Sequence, residues 1–275
     1  MFLLQIIIEM KFLEYYKRTI RGAKYVFFAK HRHGHGIHSP FVFDFITTIL
    51  DGKEDDVTFL EINEIRADML SSNETISYTD PGAGSIMRPG MSRKVSDIAR
   101  YSSTPHKYGR ILYRMVKKYK PNTIVELGTS LGLGTLYLSA ANKDGITYTM
   151  EGAVPLSQKA ESNFNKLKKK NIKLIKGLFE TSLPKLLSEI ERIDFVFIDG
   201  NHSFDATWNY FNLCLEKSGN DSTFVFDDIH WSDEMEQVWE EIKKSPEVRV
   251  TIDLFQMGIV FFQKELSKQN FVIRY

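Results

Sequence analysis

The sequence predicts an α/β protein: a doubly wound sheet of mostly parallel strands preceded by an N-terminal helical appendage. Three observations carry that expectation. From Thr123 onward, short apolar runs alternate with segments of helical periodicity, the pattern of a parallel sheet with helices on both faces. The run Thr123-Ile124-Val125-Glu126-Leu127 leads into a glycine-dense turn, Gly128-Thr129-Ser130-Leu131-Gly132. Leu133, Leu136, Tyr137 and Ala140 then recur at helical spacing. The last two apolar runs, 248–254 and 258–263, are separated only by Phe255-Gln256-Met257. That is too short for a crossover helix, so they pair as a hairpin.

Taken in order, the elements start with helical spacing from Met10 to about Lys30 and from Pro40 to Leu50. Ser39 suits the cap of the second helix and Pro40 its first position. The first hundred residues read as helices and short turns rather than a second sheet, with a further helix beginning near Ser92. We divide the chain into an N-terminal segment, 1–100, and a main domain, 101–275. In the main domain, strands are expected at 123–127, 146–150, 172–176, 194–198 and 223–227. Helices are expected at 132–142, 155–170, 181–191, 203–217 and 233–244.

Composition narrows the function classes. A chain of 275 residues with 43% apolar content can bury a full core. A formal net charge of +1 offers no global attraction to nucleic acid, although residues 11–32 are locally basic. Cys214 is the single cysteine and lies among apolar residues, so it reads as a small core residue in a reducing cytoplasm. The apolar run Phe2–Ile8 is too short to span a bilayer and lacks signal-peptide flanks, which argues against export and integral membrane association. Tyr15, Tyr16, Phe27 and Phe28 suit a homodimer contact or a membrane surface.

Two motifs invite functional readings that the sequence does not sustain. His31, His33, His35 and His38 fall within eight residues, but two intervening glycines make the loop too soft for an organised metal site. Asp80-Pro81-Gly82-Ala83-Gly84-Ser85 lacks a convincing strand before it and a helix directly after it, so it is not a nucleotide turn. With Arg88, Arg93 and Lys94 it reads either as a positively charged lid on the substrate side or, more simply, as a solvated charge run.

The turn after Thr123–Leu127 is the informative one. A dinucleotide fingerprint needs a glycine two positions after the first, whereas Ser130 stands there, so a pyrophosphate is poorly served. Glu126 is expected to meet a cation. Glu151, roughly 20 residues beyond the turn, is placed to hold ribose hydroxyls. S-adenosylmethionine, a sulfonium carrying an amino-acid moiety, fits both acids.

Four motifs in order then resemble the class I S-adenosylmethionine-dependent methyltransferases, and within them the catechol and caffeoyl-CoA type of O-methyltransferase. These are Glu126-Leu-Gly-Thr-Ser-Leu-Gly132; Glu151; Asp194-Phe-Val-Phe-Ile-Asp-Gly-Asn-His202; and Phe224-Val-Phe-Asp-Asp228. Ser103 to Leu112 resembles the segment leading into the core in that branch. The resemblance covers residues 100 to 265 and implies a Rossmann-like sheet of order 3-2-1-4-5-7-6. It implies cofactor contacts at Glu126, Gly128, Thr129, Ser130, Gly132, Glu151, Gly177 and Asp199. It also implies a divalent cation held by Asp199, Asp227 and Asp228, for which three hard oxygen donors suit Mg²⁺. His202 stands where relatives place a lysine or histidine near the acceptor, so with Asp199 it is a catalytic candidate.

Blander readings stand beside these. His202 could cap the helix starting near Ser203, and the acids could cap turns without a metal. One departure is that Gly177 is followed by Leu178 and Phe179, so adenine is expected to rest on apolar groups, with lower cofactor affinity. The sequence therefore reads as a cytoplasmic O-methyltransferase for a small hydroxylated molecule, with no nucleic-acid partner. The alternatives are a non-catalytic cofactor-binding or regulatory protein and, disfavoured by the missing glycine, an NAD-dependent dehydrogenase.

Overall fold

The computed structural model describes residues 16–30, 36–54, 56–80 and 88–275. The run Phe2–Ile8, Tyr15, His31, His33, His35 and the motif residues Pro81–Ser85 lie outside them.

Helix α1 covers residues 16–28. Helix α2, Pro40–Phe45, continues into one π-helical turn, Ile46–Leu50. As expected, Ser39 caps α2 by accepting a hydrogen bond from the Val42 amide, and Pro40 opens it. A 3₁₀ turn, Asp56–Phe59, precedes α3, Leu60–Leu70.

A two-stranded antiparallel ribbon follows, formed by β1, Thr75–Asp80, and β2, Arg88–Lys94. This corrects the expectation of helices and turns alone. The helix expected near Ser92 is α4, Val95–Tyr101, because the strand runs on through Lys94. Helix α5, His106–Tyr119, leads into the main sheet.

The main sheet alternates strand and helix as the apolar runs foretell. Its elements are β3, Thr123–Leu127; α6, Leu133–Ala141; β4, Ile146–Glu151; α7, Val154–Lys166; β5, Ile172–Lys176; α8, Phe179–Glu189; β6, Ile193–Ile198; α9, Phe204–Leu215; β7, Ser218–Asp227; and α10, Asp233–Lys244. Strands β8, Val250–Asp253, and β9, Met257–Phe261, form the expected antiparallel hairpin. A final strand, β10, Gln269–Val272, pairs parallel with β8 and was not foreseen. The sheet order β5-β4-β3-β6-β7-β9-β8-β10 reproduces 3-2-1-4-5-7-6 and adds one edge strand.

Side chains alternate across each strand, so one strand feeds two cores. Ile124, Phe195, Phe197 and Val225 join α2 and α5 in one cluster. Val125, Leu127, Val196, Ile198, Phe224 and Phe226 join α8, α9 and α10 in another. Val42, Phe45, Ile46 and Ile49 share the first cluster, so the segment around α2 is built into the sheet's core. Cys214 is fully buried among apolar groups, and burial pushes its thiol up to about 12.

Candidate functional site

The strand order reverses between β3 and β6, and in an open α/β sheet ligands gather beyond the carboxyl ends at such a point. A crevice of about 690 Å³ opens there, within the size range of small-molecule sites.

The turn after β3 shapes one side of it. Gly128 has φ +106°, and a Cβ there would lie 2.0 Å from the Asp199 carbonyl oxygen. The glycine is thus required by the neighbouring strand end, since the Asp199 amide donates to the Leu127 carbonyl at 2.8 Å. At Gly132, φ is +88° and a Cβ would strike the Phe164 ring at 2.5 Å. Both glycines therefore answer first to the protein's own packing. Between them Ser130 adopts φ +49°, which turns its amide onto Glu151.

Glu151 ends β4 and is held on both oxygens. Oε2 accepts from the Ser130 amide and Oε1 from the Ala153 amide, each at 2.8 Å. Gly128, Ser130, Glu151, Leu178, Phe179 and Asp199 all line the crevice. Thr129 stands behind its wall, its hydroxyl 2.5 Å from that of Thr149. Gly132 and Gly177 likewise shape the wall without lining it.

Glu126 lies behind the crevice wall. Strand alternation sends Val125 and Leu127 to one face and Glu126 to the other, beneath α6. Its carboxylate is 1% exposed, bonds to the Thr135 hydroxyl and accepts from Thr149 at 2.6 Å. Burial raises its pKa to about 7, partly offset by those two hydroxyls. Glu126 is therefore not among the residues that line the crevice.

The opposite side is acidic. Asp199 follows β6, Asp227 ends β7, and Asp228 adopts φ +54° just beyond it. All three line the crevice. Burial and then repulsion from Asp227 and Asp228 push Asp199 well above the usual carboxylate range. Burial and Asp228 do the same to Asp227. Asp228 is also raised by burial, with His202 and Arg18 pulling it back. Among the described residues Asp227 Oδ1 is buried without a hydrogen-bond partner. Among those same residues, however, no three His, Cys, Asp or Glu side chains form a ready-made metal-holding group.

His202 lines the same crevice with Nε2 3.9 Å from Asp199 Oδ1. The N-cap of α9 is Ser203, one residue on, so capping does not account for His202. The loop is steadied by Asn201, at φ +53°, whose amide reaches the Tyr210 hydroxyl at 3.3 Å. That hydroxyl donates to Glu180 at 2.7 Å.

Sequence reasoning missed part of the lining. Tyr78 from β1 and Ile98 and Tyr101 from α4 reach the rim. Trp231 lies beneath the Arg18 guanidinium of α1, which sits 4.4 Å from its ring centroid. Ile76 and Tyr78 alternate in the way a strand should, which is the signal that could have found β1. His230 stands behind Trp231, its ring nitrogens 2.8 Å from Glu236 and from Asp253. Burial opposes its charge, but these two acids outweigh burial and raise its pKa.

Comparison with known proteins places this geometry. Residues 125–229 match a family described as a methyltransferase domain. Among solved structures, the chain is similar to an O-methyltransferase from Bacillus cereus in complex with SAH. The TM-score is 0.55 at 18% identity, over 80% of this chain and 97% of that one. It is similar to the SAH-bound methyltransferase of Podospora anserina, with TM-score 0.56 at 13% identity, over 82% and 96%. It also resembles the O-methyltransferase TomG of Streptomyces achromogenes, solved with SAM, with TM-score 0.52 at 18% identity, over 58% and 81%. Comparison with curated protein sequences finds no match. The resemblance read in the motifs is borne out: the chain has the fold of these S-adenosylmethionine-dependent methyltransferases, and residues 125–229 match the methyltransferase-domain family.

Proposed function

We propose that the chain is an S-adenosylmethionine-dependent O-methyltransferase acting on a small hydroxylated molecule. The observation that carries this reading is one crevice with two unlike sides: a carboxylate fixed by two turn amides, and three acids with a histidine. The cofactor, when bound, supplies an electrophilic methyl carbon on a sulfonium.

Glu151, fixed at the crevice wall, is placed to accept from ribose hydroxyls. Leu178 and Phe179 give the base an apolar wall, and Gly128 and Ser130 let the chain approach it. On the other side the acceptor hydroxyl lies near Asp199 and His202. His202 is placed to take the proton that the acceptor hydroxyl would give up on alkylation. Asp199, 3.9 Å away, stabilises the resulting imidazolium.

The acid trio fits a hard divalent cation by donor type and by the unpartnered Asp227 Oδ1. Mg²⁺ needs few protein carboxylates because it retains water, so the trio need not close into a cage. Held by Asp199, Asp227 and Asp228, it would lower the acceptor hydroxyl's pKa.

The test is incubation with S-adenosylmethionine and a panel of hydroxylated compounds, with and without EDTA, following S-adenosylhomocysteine release. Release that needs an acceptor supports the reading. Cofactor binding without release for any acceptor favours the non-catalytic role, and release indifferent to EDTA removes the cation.

A further inference from the structure

Helix α1 is amphipathic in the reverse of the usual sense. Its charged residue Arg21 is 8% exposed and turned inward, paired with Asp233 and with Glu236 at 2.9 Å. Tyr25 also faces the body, its hydroxyl donating to the Ile273 carbonyl at 2.5 Å. Most of the large outward residues are apolar: Ile20, Val26, Phe27 and Phe28 are 39%, 53%, 82% and 71% exposed. Phe27 and Phe28 pack edge to face at 5.1 Å and form a projecting wedge. Beside them lies a shallow, mainly apolar depression lined by Ala23, Val26, Phe27 and Arg274.

Surface helices of globular proteins put the apolar stripe inward, so this arrangement asks for an apolar partner. Charge selects which one. Residues 1–36 carry seven Lys and Arg against two Glu, whereas the remaining chain carries 29 against 33. Lys24 and Lys30 are exposed on or beside the patch. A second copy docked on the same face would bring these cations together with their equivalents. An anionic lipid surface meets them with opposite charge and takes the phenylalanines into its acyl boundary. Upstream in sequence, Phe2–Ile8 adds a further apolar run. No described helix is long and apolar enough to cross a membrane.

We propose that α1 seats the protein on the surface of an anionic membrane, Phe27 and Phe28 inserted and Lys24 and Lys30 toward the headgroups. The proposal is independent of the methyl-transfer reading.

Flotation of the full chain with vesicles tests it, using phosphatidylcholine alone and phosphatidylcholine mixed equally with phosphatidylglycerol. The expected result is binding to the mixed vesicles, weak binding to phosphatidylcholine, and loss with added salt. The double variant Phe27→Asp, Phe28→Asp is expected to bind about tenfold less with an unchanged thermal midpoint, since both side chains are solvent-facing. Lys24→Glu should weaken binding to the mixed vesicles only. Absence of wild-type binding to mixed vesicles overturns the proposal, as does equal binding by the double variant. A dimer seen by light scattering that the double variant converts to monomer also overturns it, because a second copy then covers the face.

Discussion

The two sides of the crevice differ in how their polar groups are satisfied. On the β3–β4 side Glu151 accepts from two backbone amides, and Glu126, behind the wall, bonds to two hydroxyls. On the β6–β7 side Asp227 Oδ1 has no hydrogen-bond partner among the described residues, and burial with repulsion from neighbouring acids raises the proton affinity of Asp199 and Asp227. The first side is a finished cradle, suited to holding a ligand in one pose. The second keeps unbalanced charge that only a proton, a cation or a reacting group relieves, which is where turnover should depend on single atoms.

The largest effect should therefore follow from the unbalanced side. Asp227→Asn removes one charge while keeping the shape, and we expect acceptor-dependent S-adenosylhomocysteine release to fall by about 100-fold or more. The same change removes repulsion from a buried cluster, so the thermal midpoint should hold or rise. A variant that loses stability and activity together would instead make Asp227 a structural cap and erase the contrast between the sides.

Gly128→Ala tests whether the two sides are mechanically joined. Its Cβ would meet the Asp199 carbonyl at 2.0 Å, and φ +106° disfavours any side chain. Backbone strain and overpacking should cost about 3 kcal/mol of stability, read from urea denaturation. The displaced group is the main chain of Asp199, so residual folded protein should lose turnover as well as cofactor binding. Loss of binding alone would show that the sides act separately.

The cradle was more legible in the sequence than the acceptor side, for a physical reason. Its signals are local: a β-branched run, glycines at fixed offsets and an acid at a strand end. What the sequence could not show was direction. Val125 and Leu127 are apolar, and Glu126 between them must face the other way, but which face opens on the crevice depends on the packing of α6. Strand β10 escaped because Gln269 and Asn270 are exposed and polar, and its order comes from the parallel ladder to β8. Strand β2 contains Pro89 and Gly90, which read as loop. The rim residues Tyr78, Ile98 and Tyr101 come from elements far from the motifs in sequence. Trp231 and Arg18, 213 positions apart, meet only in the fold.

The burial of Glu126 gives a pH prediction. Its folded pKa, about 7, lies above the ordinary value of 4.5. Between those values the folded state binds more protons than the unfolded state, so stability falls as pH rises through that window. The contribution is fully present below about 4.5 and is lost above about 7, an order of 3 kcal/mol at most. Denaturation midpoints at pH 5 and pH 8 should thus differ less in Glu126→Gln than in the wild type. Equal differences would mean that other buried acids, Asp199 and Asp227, carry the whole dependence.

The mildest effect is expected at Glu151, because its cradle is redundant. Glu151→Gln leaves one oxygen to accept from the Ser130 or Ala153 amide and sets an NH₂ against the other, so the turn loosens without collapsing. The ribose is common to S-adenosylmethionine and S-adenosylhomocysteine, so calorimetric titration should show both affinities falling together by about tenfold, near 1.4 kcal/mol. A loss confined to one ligand would place the contact at the sulfur end. Unchanged affinity for both would mean that Glu151 serves the turn alone, and the finished side of the crevice would then bind through its backbone and apolar wall.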